Sequence, residues 1–469
     1  MGLERDLRDV VGDAAVLPGD TRGYGSDATE GRGVHGRPDA VVLPASTDEV
    51  AAVVRYCYAR DVPLIPRGGG SGFAGGAVAV DGGVVLGLAR LDAVRSIDPL
   101  LWRMEVEAGV TTSRVHRVAR EHGLVFPPDP GAAEQSHIGG NIATNAGGPH
   151  AFKYGVTGAW VTGLEAVVAP GEVVRVGGPI RKDVAGYDLV HLLVGSEGTL
   201  GIVTAAWLRL VPAPEVALPV IALYPDPAAG CAAIEAVLGT GLQPAALEYL
   251  DAGALATASG AFPAKLPAAT GFAVIAEADG TEREARELQR ELLDVLGDGA
   301  LGTLAPTAPG EVRALWRWRD GVSIAVTAQR GGKVSEDIAV PLDRLREAVE
   351  ATVEIGARHG LEACSWGHAG DGNLHSTFLV DPADREELDR AAGASAELFE
   401  LAVRLGGTVS GEHGLGWVRR HALAGQWAPR AVELHQAVKR AFDPKGLLNP
   451  GKKAGAPPAG PARDTYTAS

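Results

Sequence analysis

Apolar positions along this chain follow two periods, and they change over at predictable places. Ala40-Val41-Val42-Leu43-Pro44 is a short apolar run that predicts a strand. Ser46-Thr47-Asp48-Glu49 follows as a capping box, with Ser46 able to accept from the first free amides and Glu49 reaching back. Val50, Val53, Val54, Cys57 and Tyr58 then recur at helical spacing. Val62-Pro63-Leu64-Ile65-Pro66 predicts a second strand that runs into a glycine loop; residues 102–108 predict a third, and residues 112–122 a helix. This β-α-β opening predicts an α+β cofactor domain. Pro212-Ala213-Pro214 punctuates the pattern. Beyond it, residues 216–223 and 272–276 read as strands, and residues 281–296, 342–359 and 385–405 as long charged helices, a second α+β domain. No internal repeat is visible.

A length of 469 residues predicts about three domains at ~150 residues each, or two larger ones. With 46% hydrophobic residues the chain can bury a large core, and a net charge of −15 excludes a nucleic-acid footprint. Cys57, Cys231 and Cys364 are far apart and form no CxxC, which argues against an iron–sulfur cluster or a cysteine-based zinc site and fits a reducing cytoplasm. Residues 1–6 carry no apolar signal core, and no run of 18 apolar residues predicts a membrane span. Peripheral contact at the inner face of a membrane stays open. The tail from Ala454 is rich in Ala, Pro and Gly and is expected to be disordered.

Two short glycine-rich segments concentrate metal-ligand side chains. Gly367-His368-Ala369-Gly370-Asp371-Gly372-Asn373-Leu374-His375 supplies His368 and His375, and Gly411-Glu412-His413 supplies Glu412 and a further ionisable group, His413. Two histidines and a carboxylate, with room for an exchangeable ligand, make a common catalytic zinc set. On a straight strand His368 and His375 would point to opposite faces, so residues 370–373 must bend the chain. Imidazole favours zinc over magnesium, while manganese and iron stay open by ligand type.

Three other glycine blocks read as a cradle for a phosphate-bearing cofactor. They are Pro66-Arg67-Gly68-Gly69-Gly70-Ser71-Gly72-Phe73-Ala74-Gly75-Gly76, then Ile138-Gly139-Gly140-Asn141-Ile142-Ala143-Thr144-Asn145-Ala146-Gly147-Gly148, then Gly195-Ser196-Glu197-Gly198-Thr199-Leu200-Gly201-Ile202. Successive glycine amides can form an anion-binding nest. The first block is not a Walker A loop, because no Gly-Lys-Ser/Thr follows, and its glycines are too close together for a GxGxxG dinucleotide turn.

These blocks, together with residues 182–188, the two metal segments and Asn449-Pro450-Gly451-Lys452, stand in one order, and the chain resembles an FAD-linked 2-hydroxyacid dehydrogenase of the vanillyl-alcohol-oxidase (PCMH) type over about residues 10–453. Its relatives on this reading are D-lactate dehydrogenases, D-2-hydroxyglutarate dehydrogenases and the flavin subunit of glycolate oxidase. The resemblance implies an α+β fold in which a PCMH-type FAD-binding domain is split in sequence around an α+β substrate domain of the FAD-linked oxidase C-terminal type. Residues 1–214 would form the FAD domain, 215–405 the substrate domain, and 406–453 the return that completes the FAD and metal site. FAD would lie with its pyrophosphate on residues 67–72 and 139–141 and its ring near Glu197, Gly198 and Ile202, with Asn449 contributing. The loop holds Ser71 and no histidine, so the flavin is expected to be non-covalent.

The same resemblance implies oxidation of D-lactate, D-2-hydroxyglutarate or glycolate to the 2-oxoacid. His413 would be the general base, with a flavin contact as its alternative role. Arg319 and Lys333 match the substrate-carboxylate positions, with a solvated charge as the alternative for each, and Ser323, four residues after Arg319 and able to share its helical face, is a further substrate-contact candidate. Thr377 stands where diacid-specific relatives commonly carry Asn, so the substrate side chain stays open. The electron acceptor is a separate protein, a quinone or oxygen, and a homodimer is one assembly the sequence allows. Three other functions remain: an ether-lipid enzyme like alkyl-dihydroxyacetone-phosphate synthase, a non-redox metal hydrolase, and a catalytically silent partner subunit of a glycolate oxidase complex, against which His413 and the two metal histidines argue.

Overall fold

The computed structural model describes residues 2–29 and 32–453, so the expected tail from Ala454 lies outside the described residues. The chain divides into two compact units. One takes the residues up to Gly147, Val156–Pro212 and the chain from Glu412 on; the other takes Gly148–Gly155 and Ala213–Gly411.

In the first unit, strands Val16–Pro18, Ala40–Val42, Val84–Gly87 and Leu64–Arg67 lie in that order in a mixed four-stranded sheet, the last three parallel. Helix Thr47–Ala59 starts where the capping box predicts, with the Ser46 side chain accepting from the Glu49 amide, and it buries Val50, Val53, Val54 and Cys57. A second, five-stranded antiparallel sheet runs in the order Val94–Asp98, Arg103–Glu107, Ile202–Arg209, Val161–Val168 and Glu172–Gly177. The end of the chain returns to the first sheet. The Leu64 N–H donates to the Leu447 carbonyl at 2.8 Å, and the Asn449 N–H donates to the Leu64 carbonyl at 2.7 Å.

Apolar periodicity assigns no element to residues 138–148, yet Ile138–Thr144 is helical and closes at Asn145 with φ 55°. The glycines lower helix propensity. Tertiary packing overrides it: Ile138 and Ile142, four apart, are fully buried, and the Asn141 amide donates to Thr112 Oγ1 at 2.6 Å.

The second unit is a seven-stranded antiparallel sheet ordered Gly302–Leu304, Val216–Tyr224, Phe272–Gly280, Ala246–Asp251, Ala363–His368, Asn373–Val380 and Gly332–Ala339. Strand alternation sorts its residues onto two faces. Val220, Ala222, Leu247, Tyr249, Val274, Ile338 and Phe378 pack with helices Pro227–Gly239, Glu282–Gly297, Leu345–Arg358 and Arg385–Arg404. Ile221, Leu250, Ala273, Ile275, Cys364 and Trp366 face the other way, onto Leu315, Trp318, Val322 and Val326 of helix Pro309–Arg330. The expected bend between the two histidines is a hairpin turn. His368 ends one strand, Gly372 turns with φ 65°, and Trp366 pairs with His375 across the hairpin.

Candidate functional site

The first unit holds an open cleft. Pro66, Arg67, Gly68, Gly69, Gly70, Ser71, Gly72 and Gly76 line it from one side; Gly139, Gly140, Asn141, Ala143 and Thr144 line it from another; Glu197, Gly198, Ile202 and His413 complete it. Of the other predicted cofactor residues, Ile138, Gly147 and Asn449 stand outside this lining, and Gly148 falls in the second unit.

The cleft is shaped by backbone. Arg67 is 8% exposed and turns its guanidinium away from solvent, donating to the carbonyls of Ser26 at 2.7 Å and Gly23 at 2.8 Å. Gly70 has φ +70° and lies so close that an added Cβ would come 2.0 Å from Arg67 Nη2. By contrast, a Cβ at Gly72, Gly76 or Gly140 would meet nothing within 4 Å. Those three positions open onto the cleft, and an elongated anionic cofactor fits a wall of this kind, because backbone amides can approach its phosphates.

Two loops are pinned to this wall. Glu197, 6% exposed and at φ 53°, accepts from the Leu415 amide at 2.9 Å and the Gly416 amide at 2.6 Å. It thereby fixes the segment that follows His413, whose ring centroid lies 5.0 Å from that of Phe73. Asn449 donates to the Gly76 carbonyl at 3.0 Å and the Glu197 carbonyl at 2.7 Å, tying two cofactor loops together. Sequence reasoning missed His137, which lines the cleft with Nδ1 buried and lacking a hydrogen-bond partner. Burial first, and Arg67 second, push its pKa down, which favours the neutral ring. The available signal was its place directly before the second glycine block.

In the second unit the chemistry sits on the sheet face that packs on helix Pro309–Arg330. Lys333, Ser335 and Asp337 alternate along one strand, opposite Leu379, Thr377 and His375. Lys333 Nζ donates to the carbonyl of Ser323 at 2.8 Å and also reaches its hydroxyl. Burial lowers the pKa of Lys333 to about 8. The hydroxyls of Ser335 and Thr377 lie 2.9 Å apart. Asp337 is fully buried and accepts from Asn373 Nδ2 at 2.8 Å and from Ser410 Oγ at 2.9 Å.

Glu248 is fully buried on the same face. One of its oxygens pairs with Arg319, and the other accepts from His368 Nδ1 at 2.6 Å. Burial alone would raise its pKa; Arg319 and His368 outweigh that and hold it at about 2. An ionised carboxylate can only accept, so Nδ1 of His368 carries a proton. That arrangement orients a histidine for metal ligation. The rings of His368 and His375 meet edge to face at 5.2 Å.

Within the second unit, Asp337 and His375 stand opposite each other on paired strands and offer a carboxylate and an imidazole to a metal ion, and His368 is not grouped with them. The Gly411 N–H donates to the Asp337 carbonyl at 3.1 Å, and one peptide bond later the chain supplies Glu412 and His413. These nitrogen and oxygen donors suit a divalent transition metal or zinc. Asp337 and Glu248 carry no motif: each stands in a strand-like run, Asp337 beside a second acid, Glu336, so the sequence offered no signal for them.

Residues 213–453 match the family described as FAD linked oxidases, C-terminal domain, and residues 38–177 match an FAD binding domain. The chain is 39% identical over 417 residues to the glycolate oxidase subunit GlcD of Bacillus subtilis (strain 168), covering 88% of each chain. It is 33% identical over 425 residues to the D-lactate dehydrogenase of Anaerostipes hadrus, covering 89% of each. In fold it matches substrate-bound p-cresol methylhydroxylase with a TM-score of 0.80 over 96% of both chains, at 20% identity. With both domains matched in order and along most of its length, the chain belongs to the FAD-linked oxidases and is an FAD-dependent oxidoreductase of the PCMH type, in the family that includes glycolate oxidase subunits and D-lactate and D-2-hydroxyglutarate dehydrogenases.

Proposed function

We propose that this protein oxidises the hydroxyl-bearing carbon of a D-2-hydroxyacid, of the class of D-lactate, D-2-hydroxyglutarate and glycolate, to the 2-oxoacid. The observation that carries this is the polar end of one sheet face, where Lys333, Asp337, His375, His368 and Glu248 gather beneath the helix that bears Arg319 and Ser323. The names of the relatives, a glycolate oxidase subunit and a D-lactate dehydrogenase, support the substrate class.

FAD, when bound, supplies the acceptor for the hydride that leaves the carbinol carbon. Pro66, Arg67, Gly68, Gly69, Gly70, Ser71, Gly72, Gly139, Gly140 and Asn141 would hold it, with Glu197, Gly198 and Ile202 toward the ring. His368, His375 and Glu412 would hold a divalent cation, zinc by ligand type, whose chemistry there is a lowered pKa for the substrate hydroxyl. Asp337 and His413 are further ligand candidates. Arg319 and Lys333 bind the substrate carboxylate, and Ser323, which already accepts from Lys333, steadies the lysine. His413 takes the hydroxyl proton. Electrons then leave to a separate protein, a quinone or oxygen. Among the described residues no helix is long and apolar enough to cross a membrane.

The test is the anaerobic absorption spectrum of the purified protein with D-lactate, D-2-hydroxyglutarate or glycolate, using the L-isomer where one exists. Bleaching of the flavin band by one of these acids, and its loss after the metal is removed, is the expected result. A yellow protein that none of them bleaches would overturn the reading and direct attention to ether-lipid chemistry.

A further inference from the structure

The proposed metal site and the proposed carboxylate site share one residue that neither reading assigns, Glu248. It lies on strand Ala246–Asp251, with Leu250 two residues on along the same face and Ile275 as its cross-strand partner. An ionised carboxylate in such a place is costly, and an apolar residue of similar volume would serve stability as well or better. Its two oxygens go to two different elements: Arg319 on helix Pro309–Arg330, and His368 at the end of strand Ala363–His368. Arg319 is itself largely buried, with 12% of its side chain exposed, so neither partner can be replaced by water without reorganisation.

We propose that Glu248 is a positioning residue that couples metal retention to hydroxyacid binding, an inference that rests on the metal and carboxylate roles proposed above. On the metal side it holds the His368 ring through Nδ1 and so fixes the orientation in which that ring can serve as a ligand. On the substrate side it fixes one arm of the Arg319 fork and leaves the rest of the guanidinium for a carboxylate. A substrate that draws Arg319 toward itself changes the hydrogen bond that orients His368. Binding at one site must then alter binding at the other, and by linkage the effect is reciprocal.

The experiment follows metal loss to an excess of chelator in the FAD-loaded protein, with and without D-lactate or D-2-hydroxyglutarate under anaerobic conditions, where turnover stops after one flavin reduction. In the wild type, the hydroxyacid should change the rate of metal loss. In Glu248→Gln, whose amide cannot satisfy Arg319 and His368 in the same way, metal affinity should fall about 10–100-fold. The hydroxyacid should then no longer affect metal loss, while flavin content and the thermal melt stay near wild type. Glu248→Asp, which keeps the charge but is one methylene short of spanning both partners, should show the same uncoupling and serves if the glutamine variant fails to fold.

His375→Ala, which removes a proposed ligand directly, separates the two ideas. If His375→Ala releases the metal while both Glu248 variants keep it and keep its response to hydroxyacid, the coupling role is wrong and the metal site stands. If wild type and His375→Ala show the same weak metal binding, the metal reading fails and the coupling falls with it.

Discussion

The cleft of the first unit and the sheet face of the second are made of different material. In the cleft, the groups that face a ligand are backbone amides beside glycines, and the charged side chains are spent on holding loops. Arg67 faces carbonyls, and Glu197 binds the amides of Leu415 and Gly416. On the sheet face the backbone is consumed by strand pairing, and the side chains of Lys333, Asp337, Glu248, His368 and His375 supply the polar groups. A backbone site depends on conformation, so a change there acts through sterics and spares the other unit. A side-chain site depends on a network, so each change is graded and spreads to its hydrogen-bonded neighbours.

His375→Ala should separate the two units most clearly. If His375 holds the proposed cation, its loss should slow flavin reduction by the hydroxyacid about 10³-fold or more, since the cation is asked for several kcal/mol of charge stabilisation. Bound FAD should remain stoichiometric. Anaerobic stopped-flow reduction and the flavin content of the purified variant check both halves. If the flavin were lost as well, the division of labour between the units would be wrong.

The converse test is Gly70→Val. The residue has φ +70°, and its Cβ would fall 2.0 Å from Arg67 Nη2. A β-branched residue in that conformation costs about 1–3 kcal/mol, and the clash adds to it. FAD should bind roughly 10–100-fold more weakly, read from flavin fluorescence on dilution. Metal content should not change. A variant that kept its flavin would mean that the glycine serves only the turn.

Legibility in the sequence follows the same division. A backbone site needs glycines at fixed places, so residues 66–76 and 138–148 stand out by composition and spacing alone, as does the capped helix Thr47–Ala59. The helix Ile138–Thr144 does not, because its glycines hide an element that buried isoleucines and the Asn141–Thr112 bond enforce. His368 and His375 are legible because glycines surround them. Glu248 and Asp337 are not: a strand residue shows its face only when its register with neighbours is known, and Asp337 meets His375 through pairing across 38 residues of chain.

Lys333 gives a graded prediction with a definite sign. Burial lowers its pKa from 10.5 to about 8, so the charged form dominates below that pH and is lost above it. A carboxylate-binding lysine therefore makes kcat/KM for the hydroxyacid fall as pH rises through about 8, since kcat/KM reports the free enzyme. Lys333→Met should lower kcat/KM about 10-fold near pH 7, the worth of a hydrogen bond to a charged group, and should abolish that alkaline limb. An unchanged limb in the variant would assign the titration to another group and leave Lys333 a structural partner of Ser323.

The smallest expected effect lies between these charged groups. Ser335 sits two residues from Lys333 and two from Asp337, and its hydroxyl meets that of Thr377 at 2.9 Å. Thr377 also donates to the His375 carbonyl at 3.2 Å, so removing the serine hydroxyl leaves Thr377 with a partner. Ser335→Ala should therefore fold normally and cost about 1 kcal/mol in any substrate contact, close to a fivefold rise in KM. If the hydroxyl pair lines the path of the substrate side chain, that rise belongs to a polar acid such as D-2-hydroxyglutarate, and D-lactate, with only a methyl group, should be indifferent. KM for the two acids, measured side by side, decides it. Equal shifts for both would mean that the pair acts through His375, and substrate choice would then have to come from groups outside this row of the sheet.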